Sequence, residues 1–354
     1  MVTSTFWADR SVLLTGHTGF KGAWAALWLA SMGARVHGLA LAPETNPNIH
    51  DLLSTGHLTS SVIGDIREPQ VIAAAVQSAA PEIVIHMAAQ ALVRRSYREP
   101  IATFDTNVMG TAHLLEALRG TSNLKCVLVV TSDKVYENRD DGHRFVETDA
   151  LGGTDPYSAS KAAAEIVTAS YAKSFYTPTA VRVVTGRAGN VIGGGDWSED
   201  RLLPDVWRAV QENRSVELRY PNSTRPWQHV LEPLSGYLTY IERIFDDTAG
   251  QLPNALNFGP REEQPITVAE IVDVLNRQLG VTADWQKAPG THPPEKATLS
   301  IDASNARKTL GWSARLSAEE AVKWTALWYK AHRDGAQMRD FTLQQIRDYA
   351  SRDV

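Results

Sequence analysis

The first half of the chain alternates short apolar runs, rich in β-branched residues, with longer segments in which apolar positions recur at helical spacing. Strands that are apolar throughout and alternate with helices are typical of a parallel sheet covered on both faces. The pattern therefore predicts an α/β fold built on a doubly wound, mainly parallel (Rossmann) sheet. The predicted strands are Val12–Thr15, Arg35–Leu41, Ser61–Ile66, Glu82–Ala89, Cys126–Ser132 and Thr179–Thr185. The predicted helices include residues 22–34, 69–80, 101–120 and 155–175.

From about Gly186 the regular alternation fades into loop-rich segments with clustered Gly, Pro, Arg and Trp, and the chain after Thr267 is mostly helical by pattern. We expect a Rossmann domain over residues 1–185 that regains a segment near 228–260. Residues 186–227 and 261–354 are expected to form a smaller, mixed and mostly helical C-terminal domain on the substrate side.

Composition narrows the class of protein. A formal charge of −5 with 21% charged residues argues against broad binding to nucleic acid or anionic membranes. The single cysteine, Cys126, excludes a disulfide framework within the chain and a thiolate metal cluster, so no metal site is expected. No apolar stretch approaches the ~18 residues of a membrane span, and the N-terminus lacks the pattern of a signal peptide. A cytoplasmic protein is the expectation.

A glycine-rich turn, TGHTGFKG, follows the first predicted strand. Gly16, Gly19 and Gly22 at a strand-to-helix turn let backbone N–H groups approach a pyrophosphate at the positive end of the helix. A merely tight connection is the alternative, but the position in the first βα unit favours dinucleotide binding. The second strand lacks the usual acidic residue for the adenosine ribose before Glu44, and no arginine pair for a 2′-phosphate is evident. The missing carboxylate departs from the usual NAD pattern, but without such an arginine pair NAD is still favoured over NADP.

Tyr157 and Lys161 are four residues apart in DPYSASK, hence on one face of the predicted helix. A lysine ammonium favours the phenolate of a nearby tyrosine and lowers its pKa from ~10. Such a phenolate can take a hydroxyl proton while a hydride leaves the same carbon. An exposed pair on a helix surface remains the alternative for this spacing alone.

Six segments taken together resemble the extended short-chain dehydrogenase/reductase superfamily: TGHTGFKG, HMAAQ, TSDK, YSASK, RAGNVIGGGDW and RPWQHVLEPLSGYL. Within it they resemble the sugar-nucleotide 4,6-dehydratases, which usually carry Asp-Glu where this chain has Asp133-Lys134. Asp-Lys is the pattern of the branch that acts on CDP-glucose. The resemblance implies a hydro-lyase of deoxysugar biosynthesis that forms CDP-4-keto-6-deoxyglucose. It also implies a homodimer or dimer of dimers, joined through helices around 102–119 and 156–173.

The same resemblance assigns catalytic roles. Tyr157, assisted by Lys161 and Thr131, would remove the C4 hydroxyl proton while hydride passes to NAD. Asp133 would protonate the departing C6 hydroxyl, and Lys134 would take the C5 proton. The hydride would then return to C6, leaving NAD as it began.

The two elimination roles conflict with ordinary ionisation. With a pKa of ~3.9 for the carboxylic acid and ~10.4 for the lysine, both side chains are charged at neutral pH. To act as an acid and as a base, however, both must be neutral. An adjacent ion pair would stabilise the charged forms instead. A proton shared in a dry pocket, leaving neutral amine beside neutral acid, would reconcile the two roles.

The expected binding residues fall into two sets. The cofactor set is Gly16, His17, Thr18, Gly19, Phe20, Lys21, Gly22, Asp65, Ile66, Ala88, Ala89, Gln90, Asn107, Tyr157 and Lys161. The substrate set, chosen largely because a diphosphate calls for arginines, is Leu92, Arg94, Asn190, Arg201, Arg219, Arg225, His292 and Glu295.

Two other functions compete. An epimerase or reductase of the same superfamily would keep Tyr157 and Lys161 but needs no acid–base pair for water loss at Asp133-Lys134. A non-catalytic NAD-binding regulator would keep the glycine-rich turn, with little use for Thr131, Tyr157 and Lys161 together.

Overall fold

A seven-stranded parallel sheet forms the centre of the protein in a computed structural model that describes residues 2–177, 179–260, 266–281, 285–290, 296 and 298–352. The strands stand in the order β7-β6-β5-β4-β1-β2-β3. In chain order they are β1 (Ser11–Thr15), β2 (Arg35–Ala40), β3 (Ser60–Ile63), β4 (Ile83–His86), β5 (Cys126–Val130), β6 (Arg182–Arg187) and β7 (Ala255–Asn257). The order reverses between β1 and β4, where ligands bind in open α/β sheets.

Alternate residues of the central strands enter two separate cores, one on each face of the sheet. On β5, Cys126 and Leu128 belong to the larger core, whereas Val127 and Val129 belong to the smaller one. Since successive side chains of a strand point to opposite faces, a strand covered on both sides must be apolar at every position. This is why the strands appear in the sequence as unbroken apolar runs.

Fourteen α-helices occur in the described residues. In chain order they are α1 (Ser4–Trp7), α2 (Phe20–Ser31), α3 (Ile49–Leu53), α4 (Pro69–Ala79), α5 (Val93–Arg98), α6 (Pro100–Phe104), α7 (Gly110–Ala117), α8 (Pro156–Tyr171), α9 (Leu202–Gln211), α10 (Leu231–Asp246), α11 (Val268–Leu279), α12 (Ser304–Leu310), α13 (Ala318–Arg333) and α14 (Met338–Ala350). Short 3₁₀ turns span Thr55–His57 and Asp133–Val135, and π-helical segments span Asp105–Met109 and Ala172–Tyr176.

Four pairs of short strands lie outside the main sheet. Three are parallel and one is antiparallel. They join Arg144–Phe145 to Ser300–Ile301, Val191–Ile192 to Gln228–His229, Val216–Leu218 to Trp285–Lys287, and Thr224–Arg225 to Ile266–Thr267.

The predicted fold class is confirmed, and most elements lie within a few residues of their predicted bounds. Two differ. The strand predicted at Thr179–Thr185 begins at Arg182, because the N–H of Thr179 bonds to the carbonyl of Tyr176 and closes the preceding helical segment. The helix predicted over 101–120 is divided by the π-helical turn Asp105–Met109.

The chain returns to the sheet late. β7 pairs in parallel with β6, so that Asn257 lies beside Arg187 at the edge of the sheet. The division into a cofactor domain and a substrate domain, with its stated bounds, stays a proposal.

A buried carboxylate holds the last two helices to the rest of the protein. Glu232, at the start of α10, has no exposed surface. Its oxygens accept hydrogen bonds from the backbone N–H of Arg315 and of Leu316 and from the hydroxyl of Tyr349, at 2.6–3.0 Å. We call these four residues the Glu232 anchor.

A search of the described helices finds none with the length and apolar character that crossing a membrane requires.

Candidate active site

One large cavity, of about 1690 Å³, opens at the carboxyl ends of the parallel strands. It extends from the glycine-rich turn after β1 to the arginines around Arg219 and Arg225. Cavities that hold one small ligand usually measure about 300–1,000 Å³. The volume therefore leaves room for two ligands side by side.

The glycine-rich turn is tightly built. Gly16 adopts a left-handed conformation (φ 79°), and a Cβ there would lie 2.7 Å from the backbone nitrogen of Ala88. A Cβ on Gly22 would collide with the carbonyl of Gly16. Only glycine fits at either position, and the turn leads directly into α2 at Phe20. Together these features form the backbone cradle that a pyrophosphate needs.

Most of the predicted cofactor residues line this cavity. They are Gly16, Thr18, Gly19, Phe20, Lys21, Gly22, Asp65, Ile66, Ala88, Ala89, Gln90, Tyr157 and Lys161. Asp65, at the end of β3, is held by the guanidinium of Arg67 at 2.6 Å, and hydrogen bonding by Arg67 lowers the pKa of its carboxyl.

His17 and Asn107 are not among the residues that line the cavity. The His17 ring packs against Gly38 of β2 and its Nε2 lies 2.7 Å from the Ser61 hydroxyl. Asn107 accepts a hydrogen bond from the N–H of Gln90 (2.8 Å) and donates to the Ser160 hydroxyl (2.8 Å). Both residues support the cavity wall from behind.

The five predicted catalytic residues come together at the end of β5 and on the facing helix α8, and all line the cavity. Asp133 is 1% exposed. One of its oxygens accepts a hydrogen bond from Ser132 at 3.0 Å, and the other, Oδ2, has no partner among the described residues. Gly189 packs so closely on this carboxyl group that a Cβ would collide with it. Because no described protein group bonds to Oδ2, this oxygen can form a hydrogen bond with a ligand hydroxyl.

Lys134 follows Asp133 in the 3₁₀ turn and is half-buried. Among the described residues, none forms an ion pair with its ammonium group, and Asp133 in particular does not. The turn therefore keeps these sequence neighbours from neutralising each other by direct contact.

Tyr157 and Lys161 are both buried on the same face of α8. Burial raises the pKa of the Tyr157 phenol, while a hydrogen bond with Ser132 and the charge of Arg201 oppose that rise. The Lys161 ammonium donates to the carbonyl of Val130 at 3.2 Å, and burial lowers its pKa to about 8. A lysine with this pKa changes charge near neutral pH.

Lys21 is a further lysine that lines the cavity. Burial, followed by the charges of Lys161 and Arg201, lowers its pKa to about 7, whereas the charge of Asp133 acts in the opposite direction. Its ammonium lies 5.8 Å from the centre of the Tyr237 ring.

The substrate half of the cavity carries several arginines. The predicted substrate residues Leu92, Arg94, Asn190, Arg201, Arg219 and Arg225 all line it, whereas His292 and Glu295 lie outside the described residues. Asp200 accepts hydrogen bonds from both Arg94 (2.6 Å) and Arg219 (3.2 Å). Asn190 has a left-handed backbone (φ 47°) and a buried side-chain oxygen without a partner. This half is suited to an anionic, hydroxyl-bearing ligand.

Two residues of the site were missed at the sequence level. The Ser132 hydroxyl donates to Asp133, and Ser132 also acts to lower the pKa of the Tyr157 phenol. Glu165 accepts the hydroxyl proton of Thr131 at 2.5 Å. Ser132 lies inside the segment TSDK, and Glu165 lies four residues after Lys161, so helical spacing was the one available signal for it.

Comparison with known proteins places the chain among nucleotide-sugar enzymes. A profile described as GDP-mannose 4,6 dehydratase matches residues 13–325. The CDP-glucose 4,6-dehydratase of Salmonella typhimurium is 44% identical over 99% of both chains. The dTDP-glucose 4,6-dehydratase of Xanthomonas campestris is 28% identical over 92% of this chain and 94% of its own.

Solved structures show the same fold. The dTDP-glucose 4,6-dehydratase of Bacillus anthracis in complex with NAD superposes with a TM-score of 0.76 at 22% identity, covering 94% of this chain and all of its own. The UDP-glucose 4-epimerase of Thermus thermophilus with NAD gives a TM-score of 0.78 at 24% identity. The superposition covers 92% of this chain and 99% of the epimerase chain. Because dehydratases and epimerases superpose equally well, the fold alone does not separate the two activities.

Proposed function

This chain belongs to the GDP-mannose 4,6 dehydratase family, and from that premise we propose that it is a CDP-glucose 4,6-dehydratase. It converts CDP-D-glucose to CDP-4-keto-6-deoxy-D-glucose and water. The observation that carries the proposal is the pair Asp133-Lys134, at the end of β5, in the same cavity as Tyr157 and Lys161. An enzyme that only epimerises or reduces C4 has no use for the additional acid and base.

NAD fits the cofactor half of the cavity. The left-handed turn at Gly16 and the absence of a Cβ at Gly22 leave backbone N–H groups free to face a pyrophosphate. Asp65 and the residues after β4, Ala88 to Gln90, would hold the adenosine and ribose portions. When bound, NAD would supply the hydride acceptor for oxidation at C4 and the hydride donor for reduction at C6, with Lys134 returning the proton to C5.

Tyr157 removes the proton of the C4 hydroxyl. Its phenol is buried, so the phenolate needs positive charge nearby. The charge of Arg201 acts on the phenol in this sense. Lys161, on the same face of α8, is assigned the same role because of its spacing from Tyr157. Thr131 and Ser132 orient the reacting hydroxyl through hydrogen bonds.

Elimination uses the end of β5. Once C4 is a ketone, the proton on C5 becomes acidic, and Lys134 is the base that removes it. Asp133 is the acid that protonates the departing C6 hydroxyl through Oδ2, the oxygen left without a partner. Burial against Gly189 keeps water from this carboxyl group. Asp133 and Lys134 do not form a direct ion pair with each other, so each can exchange a proton with the sugar.

Binding of the CDP moiety is assigned to the arginines of the substrate half. Arg94 and Arg219 are held close together by Asp200, and Arg225 is 9% exposed. Guanidinium groups suit a diphosphate because they donate two parallel hydrogen bonds. The choice of cytosine over other bases rests on the family resemblance and the 44% identity.

A homodimer, or a dimer of dimers, is part of the proposal. Apolar side chains are exposed on the helices expected at the interface: Ile101 is 72% exposed, Met109 46% and Ile166 60%. Apolar patches of this kind are often covered by a second copy. The expected cytoplasmic location also stays a prediction.

The test is incubation of the purified enzyme and NAD with CDP-, dTDP-, GDP- and UDP-glucose. We expect the alkali-induced absorbance of a 4-keto sugar from CDP-glucose, at the highest rate of the four. Turnover of CDP-glucose to its C4 epimer without loss of water would make the protein an epimerase, and no turnover of CDP-glucose would overturn the proposal.

A further inference from the structure

Glu165 is a buried carboxylate beside the active site that the proposed mechanism does not use. It is 4% exposed and lies on α8, four residues after Lys161 and eight after Tyr157. Residues at this spacing share one face of a helix. Glu165 therefore stands directly behind the two residues that carry out proton transfer at C4.

All acceptor positions of Glu165 are occupied. Oε1 accepts from the Thr131 hydroxyl (2.5 Å) and from Arg187 Nε (2.9 Å). Oε2 accepts from the Thr185 hydroxyl (2.8 Å) and from Arg187 Nη2 (2.9 Å). This bidentate contact with a guanidinium stabilises the ionised carboxylate. Arg187 is itself fixed, because its Nη1 donates to the Tyr136 hydroxyl at 2.8 Å.

The bond to Thr131 sets the direction of a hydrogen bond at the reaction centre. A threonine hydroxyl has a single proton, and here it is donated to Glu165. Thr131 lines the cavity, and with its one proton given to Glu165 its hydroxyl oxygen can only accept from a further group. It is available for the proton of a sugar hydroxyl and does not compete by donating to it.

The charge of Glu165 acts on Lys161. Burial lowers the pKa of the Lys161 ammonium to about 8, and the negative charge of Glu165 is what opposes this effect. Without that charge, a larger fraction of Lys161 would be neutral near pH 7. A neutral lysine cannot stabilise the Tyr157 phenolate.

We propose that Glu165, locked by Arg187, is a positioning residue for the oxidation at C4: it makes Thr131 an obligate acceptor and keeps Lys161 charged. The role in C4 oxidation rests on the function proposed above. The effect on Lys161 is a property of the protein without ligands and can be tested separately.

The main variant is Glu165→Gln, and Thr185→Val is its matched control. Thr185→Val breaks one hydrogen bond to the same carboxylate but leaves its charge and its bond to Thr131 in place. Glu165→Gln leaves the buried Arg187 without a counter-charge and is prone to misfold. The double variant Glu165→Met/Arg187→Met removes both charges together and gives a second route to the same measurement.

The first measurement uses the ligand-free protein. Isotope-labelled lysine is titrated by NMR, with the Lys161 signal identified by its loss in Lys161→Met. We expect the pKa of Lys161 to fall by about one unit or more in the Glu165 variants. In Thr185→Val it should stay near its parental value.

The second measurement is the pH dependence of kcat and KM with CDP-glucose and NAD. In the Glu165 variants kcat should fall roughly tenfold or more near neutral pH, KM should change by about threefold or less, and the acid limb of kcat/KM should shift to higher pH. An unchanged Lys161 titration in the folded variants, or equal effects in Thr185→Val, would show a merely structural role. If CDP-glucose is not turned over, the lysine titration still decides the proposal.

Discussion

Among the carboxylates that this protein buries almost completely, two contrast most clearly: Glu232 of the anchor and Asp133 of the active site. In the Glu232 anchor, both oxygens are occupied by backbone N–H groups and the Tyr349 hydroxyl. At the end of β5, Asp133 is equally buried, yet Oδ2 has no partner. Stability favours the first arrangement, since an unpaired buried polar atom costs free energy. The unpaired oxygen of Asp133 therefore marks a position kept for a ligand, whereas the occupied oxygens of Glu232 serve the fold.

The largest expected effect is that of Asp133→Asn. Loss of the acid for the C6 hydroxyl should lower kcat by about 10²–10⁴-fold, while stability should change little because Oδ2 makes no bond to lose. Oxidation at C4 does not use this group, so absorbance of reduced nicotinamide should build up in a single turnover. A melting temperature that falls as far as kcat would show that Asp133 belongs with the structural carboxylates.

Lys134→Met should have the next largest effect. The half-buried ammonium makes no ion pair with a described residue, so its removal should leave folding and NAD binding intact. Exchange of deuterium into C5 should be lost, and kcat should fall by roughly 10²-fold. Lys323→Met, at an exposed position on α13 away from the cavity, is the matched control. Exchange that persists in Lys134→Met would rule this lysine out as the base.

Glu232→Gln should affect stability and not catalysis. Its activity should stay within about twofold of that of the parent protein, and the broken hydrogen bonds should lower the free energy of unfolding by about 1–3 kcal/mol. Burial raises the pKa of Glu232 from 4.5 to about 7. Between these pH values the unfolded chain ionises before the folded one, so this group lowers stability as pH rises. Across this pH range, the ionisation of Glu232 lowers the free energy of unfolding by an amount on the order of 3 kcal/mol.

The measurement is thermal unfolding of both proteins at the two ends of that pH window. The stability difference between the parent protein and Glu232→Gln should be largest at the acid end, where the carboxyl group is protonated in both states. A difference that is constant with pH would mean that Glu232 does not titrate in this range.

Much of the fold was predictable because its signals are local. A strand buried on both faces must be apolar throughout, as Cys126–Val130 is, and a tight strand–helix turn must carry glycine, as at Gly16 and Gly22. The start of β6 was predicted three residues too early, because the helix end that closes at Thr179 had no clear signal in the sequence. β7 lies inside the segment near 228–260 that was expected to rejoin the first domain, but its partner β6 could be identified only from the fold.

The residues of the active site also differ in whether a local sequence signal reveals their role. Tyr157 and Lys161 were identifiable because helical spacing alone puts them on one face. Whether Asp133 and Lys134 form an ion pair could not be decided from their adjacency, because a 3₁₀ turn sets the directions of their side chains. Glu165 gave no distinct signal, since its role depends on Thr131, Thr185 and Arg187, which arrive from two other strands.

The late return of β7 has a consequence for synthesis on the ribosome. β6 leaves the ribosome well before its partner, since all of residues 188–254 lie between them. Until β7 arrives, the nascent chain presents an open strand edge that can pair with other chains. Asn257 of β7 also accepts the hydroxyl proton of Tyr136, the residue that braces Arg187. Protection from aggregation and completion of the wall behind the catalytic residues are therefore gained in the same folding step.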